Sequence, residues 1–241
     1  MLPFHNEYSY RKIMKIAIQL SGQLRVWQES YLHWKKIQEY FSSNNIDVDI
    51  HLCTWKEDYT KKINFDNLTT SNLIKLENNI LTKVNEDDKY KMRRGIKPIN
   101  LLPLSYQQYW GSRFRRLYQK ENNIEYDFII LSRPDCIIRN FEHIFDLKDF
   151  IAESFSTIFI PHGVRNSVGF KPNLPSRFCN DYLCIGTEDS INLFSNGFLY
   201  SYIQSSQSFI STNHTYPAMT CMKTNLHTQD INLTLNLLGE R

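Results

Sequence analysis

Short apolar runs interrupt an otherwise polar chain, and between them hydrophobic residues recur at helical spacing. Ile16 to Leu20 (IAIQL) has the length of a strand buried on both faces and breaks at Ser21-Gly22. From about Gln28 to Phe41, Tyr31, Trp34, Ile37 and Phe41 share one helical face, and after SSNNID the run VDIHLCTW from Val48 reads as a second strand. Strand, helix, strand in that order predicts a βαβ unit with a right-handed crossover and a parallel pair. Tyr106 to Lys120 reads as a helix with Trp110, Phe114 and Leu117 on one side, ended by Asn122-Asn123, and YDFIILS leads from Tyr126 into a third buried strand. TIFIP from Thr157 and DYLCIG from Asp181 are further strands. Thr187 followed by Glu188-Asp189 has the pattern of a helix N-cap with acids in its first turn. A last helix is expected around Ala218 to Leu226, and INLTLNLL alternates like a closing strand.

The stretch from Lys56 to Leu104 fits this rhythm least. It is polar, rich in Asn and Lys, and weakly periodic, with a helix expected near Ser71 to Val84 and an exposed loop at NEDDKYKMRRGIKP. No internal repeat and no low-complexity tract is evident. The element order predicts a single α/β domain over residues 1–241 with a mostly parallel central sheet, and residues 56–104 as a polar insertion within it.

Composition narrows the chemistry. Of 241 residues, 41% are hydrophobic and 14% aromatic, enough for a substantial core. The net charge of +3 suits an anionic small molecule or a phosphate and is too mild for a nucleic-acid coat. The five cysteines include no CxxC pair, which argues against a zinc site and a disulfide framework. The N-terminus has no uninterrupted apolar stretch of the secretory kind, and no run reaches the roughly 18 apolar residues of a membrane span. The chain reads as soluble and cytoplasmic, with peripheral attachment at the inner membrane face open through the basic, aromatic segment YSYRKIMK.

Open α/β sheets bind ligands beyond the carboxyl ends of their strands, and two segments fall at such ends. After the first strand, SGQLR offers the Ser21 hydroxyl, the backbone of Gly22 and the guanidinium of Arg25 for phosphate. It matches neither GxxxxGK[ST] nor GxGxxG, and its local reading is a helix-start turn. After the third strand comes SRPD. Locally this is a strand-end turn with a surface ion pair. Functionally, Asp135 is a carboxylate for Mg²⁺ or Mn²⁺ bridging a diphosphate, with Arg133 holding phosphate or orienting the carboxylate, and Pro134 limiting the conformations of both. A third segment, FCNDYLCIGTED, places Asn180 and Asp181 ahead of a strand. An aspartate there is either part of an Asx-turn or a general base.

Other candidates are weaker. His162 lies in a loop, and His214 and His227 lack metal-ligand spacing. The four tryptophans, Trp27, Trp34, Trp55 and Trp110, read as core or cleft wall, and Arg113, Arg115 and Arg116 as a solvated helix face.

In order and spacing, KIAIQLSGQLR, DIHLCTW, YDFIILSRPDCII, IFIPHG and NDYLCIGTEDSINLF together resemble a group of bacterial surface-polysaccharide glycosyltransferases and related proteins. The likeness runs from Lys15 to about Phe198, leaving Lys56 to Leu104 unaccounted for. It implies a GT-A-like, Rossmann-type sandwich, a nucleotide-sugar donor, and transfer to a hydroxyl of a glycan or lipid-linked glycan. It implies that Ser21, Gly22, Arg25, Arg133, Asp135 and Asn180 line the donor site, and that Asp181 is the base of an inverting reaction. A retaining enzyme would not need Asp181 in that role. Enzymes of that fold usually carry a metal on Asp-x-Asp. Here Arg133 stands in the first position, so Asp135 alone would hold Mn²⁺ or Mg²⁺, and the arginine could stand in for part of the cation's charge. The rival reading is a non-catalytic glycan- or nucleotide-binding protein on a transferase-like scaffold. A phosphoryl- or sulfuryl-transfer enzyme is less favoured, because no phosphate-cradling loop is present.

Overall fold

A computed structural model describes residues 13–55, 72–76, 98–148, 151, 154–161, 182–205, 220–221 and 224–237. Its strands are β1 (Met14–Ser21), β2 (Ile46–Trp55), β3 (Asn72–Leu76), β4 (Phe128–Ser132), β5 (Cys136–Ile138), β6 (Thr157–Pro161), β7 (Leu183–Gly186), β8 (His227–Ile231) and β9 (Leu235–Leu237). Its helices are α1 (Trp27–Ser43), α2 (Pro98–Asn122), α3 (Glu142–Asp146) and α4 (Glu188–Ser205). Seven strands form one sheet in the order β3-β2-β1-β4-β7-β6-β8, and β5 pairs with β9 in a small second sheet. Within the large sheet only β7 runs against the rest; the pairs β1–β2, β2–β3, β1–β4 and β6–β8 are all parallel. The architecture is α/β, with a mostly parallel central sheet flanked by helices.

Strand alternation decides what covers each face. Ile16, Ile18 and Leu20 of β1 point to the face covered by α1, together with Ile50 and Leu52 of β2 and Phe128 and Ile130 of β4. The stripe that α1 turns toward them, Trp27, Trp34, Ile37 and Phe41, is spaced by seven, three and four residues and is at most 1% exposed. Burying each such side chain contributes about 1.5–3 kcal/mol. Ala17 of β1 and Ile129 and Leu131 of β4 point the other way, into a second core with Ile158, Cys184, Ile191 and Phe194 under α4. The three tryptophans Trp27, Trp34 and Trp55 are buried, as core residues should be.

Asparagines close two of the helices. Asn45 after α1 and Asn123 after α2 take φ values of 59° and 51°, a left-handed conformation that asparagine tolerates better than most residues. At the start of α4, the Thr187 hydroxyl oxygen accepts the Ser190 N–H at 3.4 Å, which makes Thr187 the expected cap.

Several expectations are corrected. The predicted helix at Ser71 to Val84 contains instead the strand β3, parallel to β2 at the sheet edge. The segment Lys56 to Leu104 therefore contributes a sheet strand and, from Pro98, the first turns of α2. INLTLNLL is not one strand: Ile231 ends β8 and Leu235 begins β9, which belongs to the other sheet. Of the helix expected over Ala218 to Leu226, Thr220, Cys221 and Thr224 are helical among the described residues. The end of YSYRKIMK is built into the sheet, where Met14 and Lys15 pair with Ile46 and Asp47. Cys53, Cys136, Cys184 and Cys221 are buried, and none of these four forms a disulfide. No helix among the described residues is long and apolar enough to cross a membrane.

Candidate functional site

The chain leaves β1 through α1 on one face to reach β2 and then β3 on one side of it. It then returns through α2 on the other face to β4, on the opposite side of β1. The direction of winding therefore reverses between β1 and β4, and the two strand ends that flank this switch point are Ser21-Gly22 and Ser132 to Asp135. They pack directly on each other. Gly22 has a φ of +154°, and a Cβ there would stand 2.9 Å from Cδ of Pro134. Only glycine allows both that backbone and that approach.

The SRPD segment is a β-turn: the Cys136 N–H donates to the Arg133 carbonyl at 3.2 Å, with Pro134 in the second position, where its fixed φ is favoured. The turn is held from three sides. Trp34 of α1 donates its indole N–H to the Pro134 carbonyl at 3.0 Å. The Arg133 N–H donates to the Tyr182 carbonyl at 3.0 Å, and the Tyr182 ring lies 4.9 Å from the Arg133 guanidinium. His33 accepts the Ile138 N–H on Nε2 at 2.9 Å just beyond.

Inside the turn, Arg133 donates from Nε to Oδ1 of Asp135 at 2.9 Å and from Nη2 to Oδ2 at 2.6 Å. The local reading of a turn with an ion pair is thus realised, with one difference. The pair is not on the surface, since the Asp135 side chain is only 4% exposed and that of Arg133 16%. Both oxygens that a cation would need are engaged by a guanidinium. Among the described residues no group of three His, Cys, Asp or Glu side chains could hold a metal. The carboxylate is thus committed to Arg133, and a divalent cation at Asp135 would have to share its oxygens with the guanidinium.

The remaining expected residues separate. Ser21 does not offer its hydroxyl to the crevice: it is fully buried, faces α2, and accepts from Gln19 Nε2 at 3.3 Å. The Gly22 N–H is already bonded to the Cys53 carbonyl at 3.1 Å. Arg25 is exposed in the turn before α1, its Nε bonded to Gln23 Oε1 at 2.7 Å. Asn180 and Asp181 lie outside the described residues, as does His162.

A polar network that the sequence reading missed lies behind β1. Gln19, in the middle of the apolar strand, points toward α2, where Gly111 allows close approach; a Cβ at Gly111 would meet Ser21 Oγ at 2.8 Å and Gln19 Nε2 at 2.9 Å. Arg115, expected on a solvated face, is fully buried there. It donates to Gln19 Oε1 at 2.5 Å, to Asn192 Oδ1 of α4 at 2.6 Å and, at a long 3.4 Å, to Gln119 Oε1. Glu188 is reached only through the Gln119 amide, at 2.6 Å, and the Asn192 amide, at 3.4 Å. Burial pulls the Arg115 pKa down to about 10, with Glu188 opposing the fall. Leu117, expected on the apolar side of this helix, is instead 44% exposed.

At the carboxyl end of β2, Trp55 stacks on Tyr106 of α2 with ring centroids 6.4 Å apart, and Trp110 and Phe114 extend the cluster. Thr54 Oγ1, Trp55 Nε1, Gln107 Nε2 and Gln108 Oε1 are buried here without a hydrogen-bond partner among the described residues. Buried polar atoms are ordinarily satisfied, by water or ligand where protein does not serve.

No family model matches the chain, and no curated protein matches it. Solved structures of similar layout include mouse xyloside xylosyltransferase 1 in its apo form, 13% identical, over 90% of this chain and 84% of that one, at a TM-score of 0.42. They also include galactosyltransferase LgtC with donor and acceptor sugar analogs, 9% identical, over 89% of this chain and 73% of that one, at a TM-score of 0.46. Likeness at these values concerns layout, and no residue role is carried across from either protein.

Proposed function

We propose that this chain is a GT-A-type glycosyltransferase. It would take a nucleotide-sugar in the crevice beyond β1 and β4 and pass the sugar to a hydroxyl of a glycan or lipid-linked glycan, in surface-polysaccharide assembly on the cytoplasmic side. One observation carries this reading: the two segments picked out by sequence, SGQLR and SRPD, meet at the switch point of the sheet, with Gly22 against Pro134. Arg25 supplies positive charge at that crevice for a diphosphate, and the exposed edge of Arg133, its charge balanced by Asp135, offers hydrogen-bond donors beside it. The unpartnered polar atoms around Thr54 and Gln108 lie at the neighbouring strand end, where hydrogen-bonding groups of a donor would satisfy them.

In this reading the acceptor oxygen attacks the anomeric carbon as the bond from that carbon to the diphosphate oxygen breaks. The bonding pair leaves on the nucleoside diphosphate, whose charge Arg25 and Arg133 meet. In an inverting reaction the acceptor's proton passes to the carboxylate of Asp181, the residue that resemblance assigns as base.

The test is release of nucleoside diphosphate from UDP-, GDP- and dTDP-linked sugars, and of CMP from a CMP-linked sugar, with Mn²⁺, Mg²⁺ or EDTA. Release from one class of donor, lost in Asp181→Asn while donor still binds, is expected. Donor binding with no release under any condition would favour the second reading, a nucleotide- or glycan-binding protein. The neutralisation of Asp135 by Arg133 speaks for that alternative.

A further inference from the structure

We infer that the groove between α2 and α4, on the outer side of the helical layer, is a second binding site and takes an acidic saccharide. It is distinct from the crevice at the strand ends and does not depend on the reading given to that crevice. Tyr109, Ser112, Arg113 and Arg116 of α2 and Asn192 and Asn196 of α4 line a cavity of about 300 Å³, a size within reach of a small ligand. Among the described residues the lining holds two cations, amides and hydroxyls, and neither a carboxylate nor an aliphatic side chain.

Neither arginine of the lining is paired with a carboxylate among the described residues, and one of them is held in place. Arg113 donates to the Tyr109 hydroxyl at 3.3 Å and lies 5.3 Å from the Trp110 ring centroid, so its orientation is set before any ligand arrives. Arg116, one turn further along, is exposed and bonds to nothing among the described residues. Arg115 lies buried between them in sequence, and its direct partners are amide oxygens, with no carboxylate bonded to it. Its charge adds to the groove's positive potential, opposed in part by Glu188, which reaches it through the Gln119 and Asn192 amides. Arg115 also fixes Asn192 by taking its Oδ1 at 2.6 Å, which leaves the Asn192 amide N–H groups as the donors available toward Glu188 and the groove.

Guanidinium groups bind carboxylates and phosphates through paired hydrogen bonds. Asparagine amides and a tyrosine hydroxyl are the groups that read sugar hydroxyls, donating and accepting in turn. Together they fit a sugar that carries an anionic group. A membrane surface fits less well, because among the described residues the lining has no aliphatic side chain to insert. A nucleic acid fits less well because it needs an extended basic track, and the adjoining hollow, which shares Arg113 and Arg116, sets Glu125 and Glu188 beside Lys120; a small acidic sugar needs only the two arginines.

The experiment is calorimetric titration of the full chain with a galacturonic-acid trisaccharide, with glucose 1-phosphate and with neutral maltotriose. Binding of an acidic ligand and none of the neutral one is expected. Arg113→Gln with Arg116→Gln should weaken it at least about ten-fold, as loss of charged hydrogen bonds does. Both residues are exposed, so the variant's Tm should match wild type; Arg25→Ala should bind the acidic sugar unchanged. Three results would overturn the proposal: no saccharide bound, equal binding of neutral and acidic sugars, or undiminished affinity in the folded double variant. Binding to anionic phospholipid vesicles, lost in the double variant, with no saccharide bound, would assign the groove to a membrane surface instead. Nucleotide-sugar binding is measured alongside: its loss in the double variant would mean that the groove belongs to the donor crevice.

Discussion

Arg133 grips both carboxylate oxygens of Asp135, two residues further along the chain, at 2.9 and 2.6 Å within a single β-turn. Pro134 between them makes this geometry accessible: its fixed φ turns the chain so that both side chains emerge on the same side. A buried pair of this kind stabilises little on net, because desolvation offsets most of the attraction. Its consequence is conformational. One turn is selected at the end of β4, and Arg133 is held between Asp135 and the ring of Tyr182.

Removing one partner should therefore cost more than removing both. Asp135→Asn leaves a largely buried guanidinium uncompensated, and a loss of about 3 kcal/mol is expected, roughly 6–12 °C in Tm for a chain of this size. The double variant Arg133→Met, Asp135→Leu should recover most of that Tm. Donor binding should not recover with it, because Arg133 is gone. Thermal melts with and without the nucleotide-sugar separate the two effects. Full donor binding in the recovered double variant would remove Arg133 from the site.

Gly22→Ala tests the meeting of the two strand ends. The new Cβ would stand 2.9 Å from Pro134 Cδ on a backbone with φ of +154°. The strain should cost about 1–3 kcal/mol, and the SRPD turn should shift with it. The expected result is a lowered Tm together with weakened donor binding. A change of Tm alone, with donor affinity retained, would mean that the contact serves only packing.

Gln19 and Arg115 should prove interdependent. Gln19→Leu suits the apolar strand but deprives a fully buried arginine of its shortest hydrogen bond, and about 3 kcal/mol of destabilisation is expected. Adding Arg115→Met should restore part of the loss, since the two apolar side chains can then pack together. Urea unfolding of the two single variants and the double variant gives the coupling directly. Additive losses would show that the pair acts independently.

β1, β2, β4, β6 and β7 were legible because their apolar runs are short, bounded and rich in Ile and Leu, and α1 because Trp34, Ile37 and Phe41 keep strict helical spacing; β8, whose HTQDI is mostly polar, was not. β3 was not, since its residues carry no alternation strong enough to override the polar, Asn-rich surroundings. The segments SGQLR and SRPD are marked by their position after apolar runs. What those segments do was less legible, because burial reverses the part of Ser21 and exposure is not written in its neighbours. The buried network had a readable signal that went unused. Gln19 is a lone amide inside an apolar strand, and Gln108, Ser112, Arg115 and Gln119 fall four, three and four residues apart, one polar stripe on α2. Three arginines within four positions, Arg113, Arg115 and Arg116, read as a charged surface, whereas the spacing of the polar stripe gives the face.

Stability should fall in mild acid, and His51 is the residue to follow. Tyr126 donates its hydroxyl to Asp49 Oδ2 at 2.8 Å, so the 2.9 Å contact between His51 Nε2 and the Tyr126 oxygen requires the proton on Nε2. Nδ1 is then bare, buried and without a partner. Protonating it would place a charge and a donor where no acceptor waits, and burial, with Arg115 next, holds the His51 pKa down to about 3. His33 is held down to about 4, chiefly by burial and then by Lys36, and its Nε2 must stay unprotonated to accept the Ile138 N–H. In the unfolded chain both would titrate near their ordinary 6.5. Above that value neither state binds the proton and the contribution is constant. Below it the unfolded chain binds protons that the native state refuses, so stability drops with pH, for His51 by up to about 1.4 kcal/mol per unit. Half-buried His33 adds less, because solvent screens it. Urea unfolding at pH 7.5 and pH 5.0 should show the loss. In His51→Gln, whose amide can still donate to Tyr126, the loss should be smaller by about 1–2 kcal/mol. Carboxylate titration contributes equally to both proteins, so an identical drop in the variant would mean that His51 is protonated in the folded protein.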